Sequence, residues 1–302
     1  MSINIEVQGG GSIKLLTAGK YCDQDILVTA TGGGTGGGTG AVDYGPILDK
    51  TVEAISSEAS SVGNYACQNC VQLKTVNLPL AIKIGNYAFQ GCSLLETAEI
   101  PSATEVGLYA FQNCKKLSQV NIEKVAKTGS YAFSGCEALV SVNAPEMTDV
   151  GSSAFYNCKA LQSVSMPKAT SISTSSFGGC AALTDLSIPL VTTIPGSAFM
   201  NCTVLKVADL PSVTRISANA FNYSLALATV VLRSQSVVTL DNTNAFNNTP
   251  IAKGNGHIYV PRALVDAYKS ATYWSMYASY YRAIEDYTVD GTITGALDES
   301  KI

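Results

Sequence analysis

Charge is scarce in this chain: 14% of its 302 residues are Asp, Glu, Lys or Arg and the formal net charge is −4. No basic stripe is present to neutralise a phosphate backbone, so nucleic acid is not expected as a partner. Histidine occurs once, at His257, directly after Gly254-Asn255-Gly256, which removes almost every His-paired nucleophile scheme. No His-Glu-x-x-His, Walker loop or paired-carboxylate stretch appears, and the main glycine cluster, residues 33–40, lacks the strand and helix that a phosphate site needs. No catalytic residue, metal site or cofactor is therefore expected, and the chain is not expected to be an enzyme. Long apolar runs are also missing: no stretch approaches the ~18 residues of a membrane span, so membrane insertion is not expected. The opening Met1-Ser-Ile-Asn-Ile-Glu-Val-Gln-Gly has neither a positive n-region nor an apolar core, and classical secretion is not expected. Without an export signal, the nine cysteines are expected to be reduced thiols.

What is abundant is repetition. Cysteines stand at 70, 92, 114, 136, 158, 180 and 202, separated by identical intervals of 22 residues. Phe89, Phe111, Phe133, Phe155, Phe177, Phe199 and Phe221 keep the same beat, as do the leucines from Leu73 to Leu227. A fixed period of this length marks a solenoid, in which each unit buries its apolar side only against its neighbours. Within one unit Leu73, Val76 and Leu78 are apolar while Thr75 and Asn77 are polar, and Pro79 then stops the ladder. That pattern predicts a short strand with one wet face. Ala88, Phe89 and Cys92 carry the spacing of one buried side of a helical turn, which predicts a brief helix or 3₁₀ turn on the opposite edge. Asn69, Gly91, Asn113, Gly135, Asn157, Gly179 and Asn201 each precede a ladder cysteine. These residue types tolerate positive φ and are expected to turn each coil back toward its strand. The predicted fold class is an α/β repeat solenoid.

The run Gly85-x-x-Ala88-Phe89-x-Gly91-Cys92-x-x-Leu95, followed by Ala98, Ile100 and Pro101, resembles the unit of the BspA-type leucine-rich-repeat family. The resemblance extends over roughly residues 52–285. It implies a right-handed curved leucine-rich-repeat coil, with short strands on the concave face and helical or 3₁₀ turns on the convex side. In the family it implies roles in adhesion to proteins, cells or surfaces.

Five segments are expected. Residues 1–31, with Ile3, Ile5 and Val7 alternating, read as a small β attachment module too short to be stable alone, and self-association or docking into an assembly is expected through it. Residues 32–41 read as a Gly/Thr-rich flexible linker. The solenoid occupies residues 42–250. Residues 251–287 read as a closing strand and helical cap, in which Pro261 opens Arg262-Ala-Leu-Val-Asp-Ala-Tyr-Lys-Ser and Tyr268, Trp274, Tyr277 and Tyr281 seal the core. Residues 288–302 read as a short hairpin.

The cysteine ladder has a plain reading as small buried packing groups. Disulfides between adjacent coils are the alternative: a spacing of about 4.8 Å permits them, while parallel side-chain vectors oppose them. Cys67 and Cys70 also form one Cys-x-x-Cys, with no second ligand pair to complete a zinc site.

Two surface columns are candidates for binding. The first is the polar strand face: Thr75 and Asn77, Thr97 and Glu99, Gln119 and Asn121, Ser141 and Asn143, Ser163 and Ser165, Asp185 and Ser187. It can hydrogen-bond a glycan or a protein loop, although any soluble solenoid shows such a face. The second is Tyr65, Tyr87, Tyr109 and Tyr131, one per coil, which gives way to Ser153, Ser175 and Ser197. Exposed tyrosines in a row mark binding surfaces; packing of the rings on one another is the alternative. Together these readings predict a non-enzymatic protein that recognises a protein or glycan on a cell surface. Leu16-Thr-Ala-Gly-Lys-Tyr-Cys-Asp-Gln-Asp-Ile resembles segments of phage and prophage structural proteins, and with the absent export signal it favours a virion tail, or host cytoplasm before assembly. A bacterial surface adhesin and a structural scaffold are the rivals.

Overall fold

The computed structural model describes residues 2–6, 12–16 and 52–286. It is a solenoid of parallel strands with about ten turns and few helices. The period of 22 sets its register: Thr75–Asn77 pairs with Thr97–Glu99 so that Val76 lies opposite Ala98, which in turn lies opposite Val120. Every slot of the sequence repeat thus becomes a straight column along the molecule.

Each coil carries a second strand of only two residues. Lys83–Ile84 pairs with Glu105–Val106, and that pair with Lys127–Thr128, in the same parallel register. The sequence reading did not separate this strand from the turn, because two residues are too short to show a period.

The turn that follows is closed by i→i+3 hydrogen bonds, such as Gln90 N–H to the Tyr87 carbonyl at 3.2 Å and Cys92 N–H to the Phe89 carbonyl at 3.2 Å. It does not wind into an α-helix, and the backbone hydrogen bonds show why. The N–H groups of Tyr87, Phe89 and Gly91 donate forward, to the carbonyls of Leu108, Ala110 and Gln112 in the next coil, at 2.8, 2.7 and 2.8 Å. Donors committed to a neighbouring coil are not available to a carbonyl four residues back. Two left-handed residues per turn make this geometry possible. The expected corners are there, with Asn69 at φ 59° and Gly91 at φ 73°. A second left-handed position is occupied by Tyr65, Tyr87, Tyr109 and Tyr131 and then by Ser153, Ser175 and Ser197.

The main apolar core of the described residues runs from Val52 to Tyr281. Its axis is a stack of phenylalanine rings, with neighbouring centroids 5.1 Å apart at Phe89–Phe111 and 5.6 Å apart at Phe221–Phe246. The ladder cysteines are buried free thiols, and they do more than fill space. From Cys92 to Cys202 each donates its S–H to the phenylalanine-slot carbonyl of the preceding coil, as Cys114 does to Phe89 at 3.1 Å and Cys158 to Phe133 at 3.3 Å. Where the cysteine gives way to Ser224, the hydroxyl makes the same bond to Phe199 at 2.9 Å. The slot therefore selects a small side chain with one donor.

The C-terminal end of the stack is covered by aromatic side chains. After the last ring, Trp274 packs tilted on Phe246 at 5.9 Å and Tyr277 meets it edge-on at 6.0 Å. Trp274 Nε1–H donates to the Val238 carbonyl at 2.6 Å, while Val238 N–H donates to the Tyr268 hydroxyl at 3.0 Å, so the cap is bonded to the coil it covers. At the front, Ser2–Glu6 and Ser12–Leu16 pair antiparallel, and the second of these pairs antiparallel with Ala54–Ser57. These strands extend the sheet that begins at Ala54–Ser57. The expected linker over residues 32–41 and the hairpin over residues 288–302 lie outside the described residues.

Burial pushes up the thiols of Cys114, Cys136, Cys158, Cys180 and Cys202, that of Cys202 to about 12. The unfolded chain ionises first as pH rises, so stability is unaffected by these groups below about pH 9 and falls as pH climbs from there toward the folded values. Thermal melts between pH 7 and pH 10.5 should show that loss. Thiol reagent at pH 8 should leave the eight described cysteines unmodified until denaturant is added. In denaturation, Cys136→Ser, which keeps the donor, should be more stable than Cys136→Ala by about 1 kcal/mol.

Candidate functional site

The two columns singled out in the sequence lie on different parts of the coil and differ in organisation. On the strand face Thr75, Asn77, Glu99, Gln119, Ser141, Asn143, Ser165, Asp185 and Ser187 are exposed, and Thr97, Asn121 and Ser163 are half-buried. No group of them converges on one point. The side-chain hydrogen bonds of this face are local, such as Glu123 N–H to Asn121 at 3.4 Å and Thr184 to Asp185 at 2.7 Å. Toward the C-terminal end the face closes over. Arg233 binds Asp209 through two contacts of 3.1 and 2.6 Å, and Val231 and Tyr259 are buried with Ile284 packed on them.

The tyrosine column is ordered. Tyr65, Tyr87, Tyr109 and Tyr131 stack nearly parallel, with successive centroids 4.8, 4.9 and 4.9 Å apart and interplanar angles of 7°, 18° and 5°. Tyr65 is 45% exposed and the other three are half-buried. Stacking was one reading of this column and surface exposure the other; the structure contains both. The flat ring faces of Tyr87 and Tyr109 are covered by their neighbours, leaving ring edges and hydroxyls for solvent. Partial burial and the flanking Tyr65 and Tyr109 hydroxyls raise the Tyr87 pKa above its ordinary value, so Tyr87 stays neutral near physiological pH.

The sequence reading missed the groups beside it. Gln68, Gln90 and Gln112 form an amide ladder, each Nε2–H donating to the next Oε1 at 2.6 Å. Asn64 Oδ1 accepts the Asn86 N–H at 2.7 Å, and Asn86 Oδ1 accepts the Leu108 N–H at 2.8 Å. All share the 22-residue beat, so the signal was present in the repeat. Lys83, Glu105, Lys127 and Asp149 alternate in sign along the second sheet, in register, with Lys83 and Glu105 at 3.6 Å.

Glycines bring the coils together under the column. A Cβ at Gly85 would lie 2.5 Å from the Gly63 carbonyl carbon, and one at Gly129 would lie 2.5 Å from the Leu108 nitrogen. Such contacts are with backbone and cannot be relieved by a rotamer change. His257 sits apart, with Nε2 3.0 Å from Arg282; burial and then that guanidinium lower its pKa. Among the described residues no group of three His, Cys, Asp or Glu side chains could hold a metal ion, and no helix is long and apolar enough to cross a membrane.

Tyr109→Ser places in this slot a residue the chain itself uses at Ser153, Ser175 and Ser197 with the same backbone. Its melting temperature should stay within a few degrees of the parent. Gly129→Ala forces two coils apart and should destabilise by more than about 2 kcal/mol, seen as a clear drop in the denaturation midpoint.

The family profile described as BspA type leucine rich repeat region, in six copies, matches residues 60–184 and 127–253. None of the curated proteins matches the chain. Among solved structures, a leucine-rich repeat protein from Bacteroides ovatus is similar at 17% identity and a TM-score of 0.36, over 77% of this chain and 94% of its own. A leucine rich cell surface protein from Faecalibacterium prausnitzii is similar at 23% identity and a TM-score of 0.33, over 69% of this chain and 79% of its own. The T. pallidum leucine rich repeat protein is similar at 20% identity and a TM-score of 0.42, over 65% and 82%. With the family profile spanning most of the solenoid, the chain belongs to the BspA-type leucine-rich repeat family.

Proposed function

We propose that this is a non-enzymatic binding protein whose solenoid recognises a protein or glycan on a cell surface through the tyrosine edge. The observation that carries the reading is the choice of residue at one left-handed backbone position. Serine fills it in three coils and tyrosine in four. A non-glycine residue in the left-handed region costs roughly 1–2 kcal/mol, and each aromatic stack contributes about 0.5–1.5 kcal/mol. Serine bears the same backbone cost, so the modest stacking term is all that tyrosine adds to stability, and the rings lie outside the phenylalanine core. Three coils fold with serine and no such stack, so the fold does not require tyrosine there, while a row of amphipathic edges is what binding surfaces use. The open strand face is the second candidate surface, supported by its exposed polar side chains but by no organisation beyond that of the sheet.

Family membership supports a place on a bacterial surface. A phage or prophage tail rests on the short resemblance of residues 16–26, which fall almost wholly outside the described residues. The non-enzymatic reading is supported by the pairing of the lone His257 with Arg282 rather than with a nucleophile.

The test is binding of the labelled full-length protein to a panel of bacterial cells and to a glycan array, beside the Tyr87→Ser/Tyr109→Ser/Tyr131→Ser variant. The reading predicts binding that the variant loses by at least about tenfold, the weight of a small group of interface hot spots. Binding that survives moves the site to the strand face. No binding to any cell or glycan favours a scaffold role.

A further inference from the structure

The chemistry left exposed along the tyrosine edge narrows the class of ligand. Ring stacking at 4.8–4.9 Å leaves no gap between the rings, so a sugar or aromatic ligand cannot lie on the inner faces. What is presented is a strip of ring edges, which carry the positive end of the aromatic quadrupole, with one phenol hydroxyl per step. The amides beside it offer donors as well: the side-chain oxygens of Asn64 and Asn86 already accept from backbone N–H groups, and those of Gln90 and Gln112 from the preceding glutamine. The exposed Asn64 and Asn86 amide N–H groups and the phenol O–H groups present donors, so a ligand rich in acceptors matches the strip.

Spacing selects further. Two successive steps of 4.8 and 4.9 Å cover 9.7 Å. An extended strand repeats every ~6.6–6.8 Å on one face, and an α-helix every ~5.4 Å; both lose register within the column. A polyproline II helix advances about 3.1 Å per residue with three residues per turn, a repeat of about 9.3 Å, and it drifts by only about 0.6 Å along the four rings. Proline also supplies the required chemistry, because it has a carbonyl but no N–H. The ordered column and the preformed ligand helix both limit the entropy lost on binding.

Resting on the reading of the tyrosine edge as the binding surface, we propose that its ligand is a proline-rich protein segment in the polyproline II conformation, laid along Tyr65, Tyr87, Tyr109 and Tyr131. The segment runs parallel to the solenoid axis, with its carbonyls facing the hydroxyls and its pyrrolidine rings against the ring edges.

Isothermal titration of the full chain with a blocked decaproline tests this, beside a Gly-Ser decamer, an acidic decamer and a β-linked glucose hexamer. Saturable binding of decaproline alone is expected. Tyr109→Phe, which keeps the ring and loses the hydroxyl, should weaken it about fivefold, and the triple serine variant should abolish it. Failure of decaproline to bind, equal binding by the triple variant, or tyrosine-dependent binding of the acidic peptide or the sugar instead would each overturn the inference. If decaproline fails while cell binding still requires the tyrosines, only the ligand class is wrong. If both fail, recognition through this edge falls as well.

Discussion

Everything in this fold depends on one constraint: each coil completes the hydrogen bonds of its neighbour, in a pattern that recurs every 22 residues. The turn's alternate N–H groups donate forward, as in Phe89 to Ala110 at 2.7 Å and Phe111 to Ala132 at 2.7 Å, while the ladder thiols donate backward. A residue inserted within the turn would break both sets at once, leaving buried polar groups unpaired, whereas the longer interval from Phe221 to Phe246 keeps the forward bonds, with Phe221 N–H on the Ala245 carbonyl at 2.8 Å. The constraint fixes most slots outright. Phenylalanine fills the axis, cysteine or serine supplies a donor in a confined corner, and glycine stands where backbones nearly touch. Where the interval lengthens, from Phe221 to Phe246, the aromatic cap begins.

One slot escapes this control. The left-handed position before the phenylalanine needs a particular backbone but no particular side chain, since tyrosine, serine and asparagine all occupy it. Its side chain points away from the phenylalanine stack, so it can change without disturbing the core. The solenoid thereby separates what holds it together from what it shows to a partner. The first four described coils use that freedom to build a rigid aromatic strip, and the following ones do not.

Much of this was legible in the sequence because a solenoid writes its contacts as a period. The beat of Cys70 to Cys202 placed the core, the alternation of Leu73, Thr75, Val76 and Asn77 placed the strand, and the Asn or Gly before each cysteine placed a left-handed corner. Three features were not legible, for physical reasons. The strand Lys83–Ile84 is too short for alternation to register. The second left-handed position is filled by tyrosine and serine, which carry no preference for it, so nothing in their chemistry announced it. The thiol hydrogen bonds depend on a carbonyl 25 residues earlier, a separation that differs from the repeat and shows only in three dimensions. The tyrosines were visible as a column, but their exposure and ring geometry came from the fold.

The central claim is that the tyrosine edge is the surface that meets a partner, and the most direct measurement is a nitration footprint of the protein free and bound to cells. Tyr223 and Tyr273, 49% and 43% exposed and outside the column, serve as internal references. The account predicts that Tyr65, Tyr87, Tyr109 and Tyr131 become protected on binding while Tyr223 and Tyr273 react as before. Protection of the references with the column still reactive would contradict it.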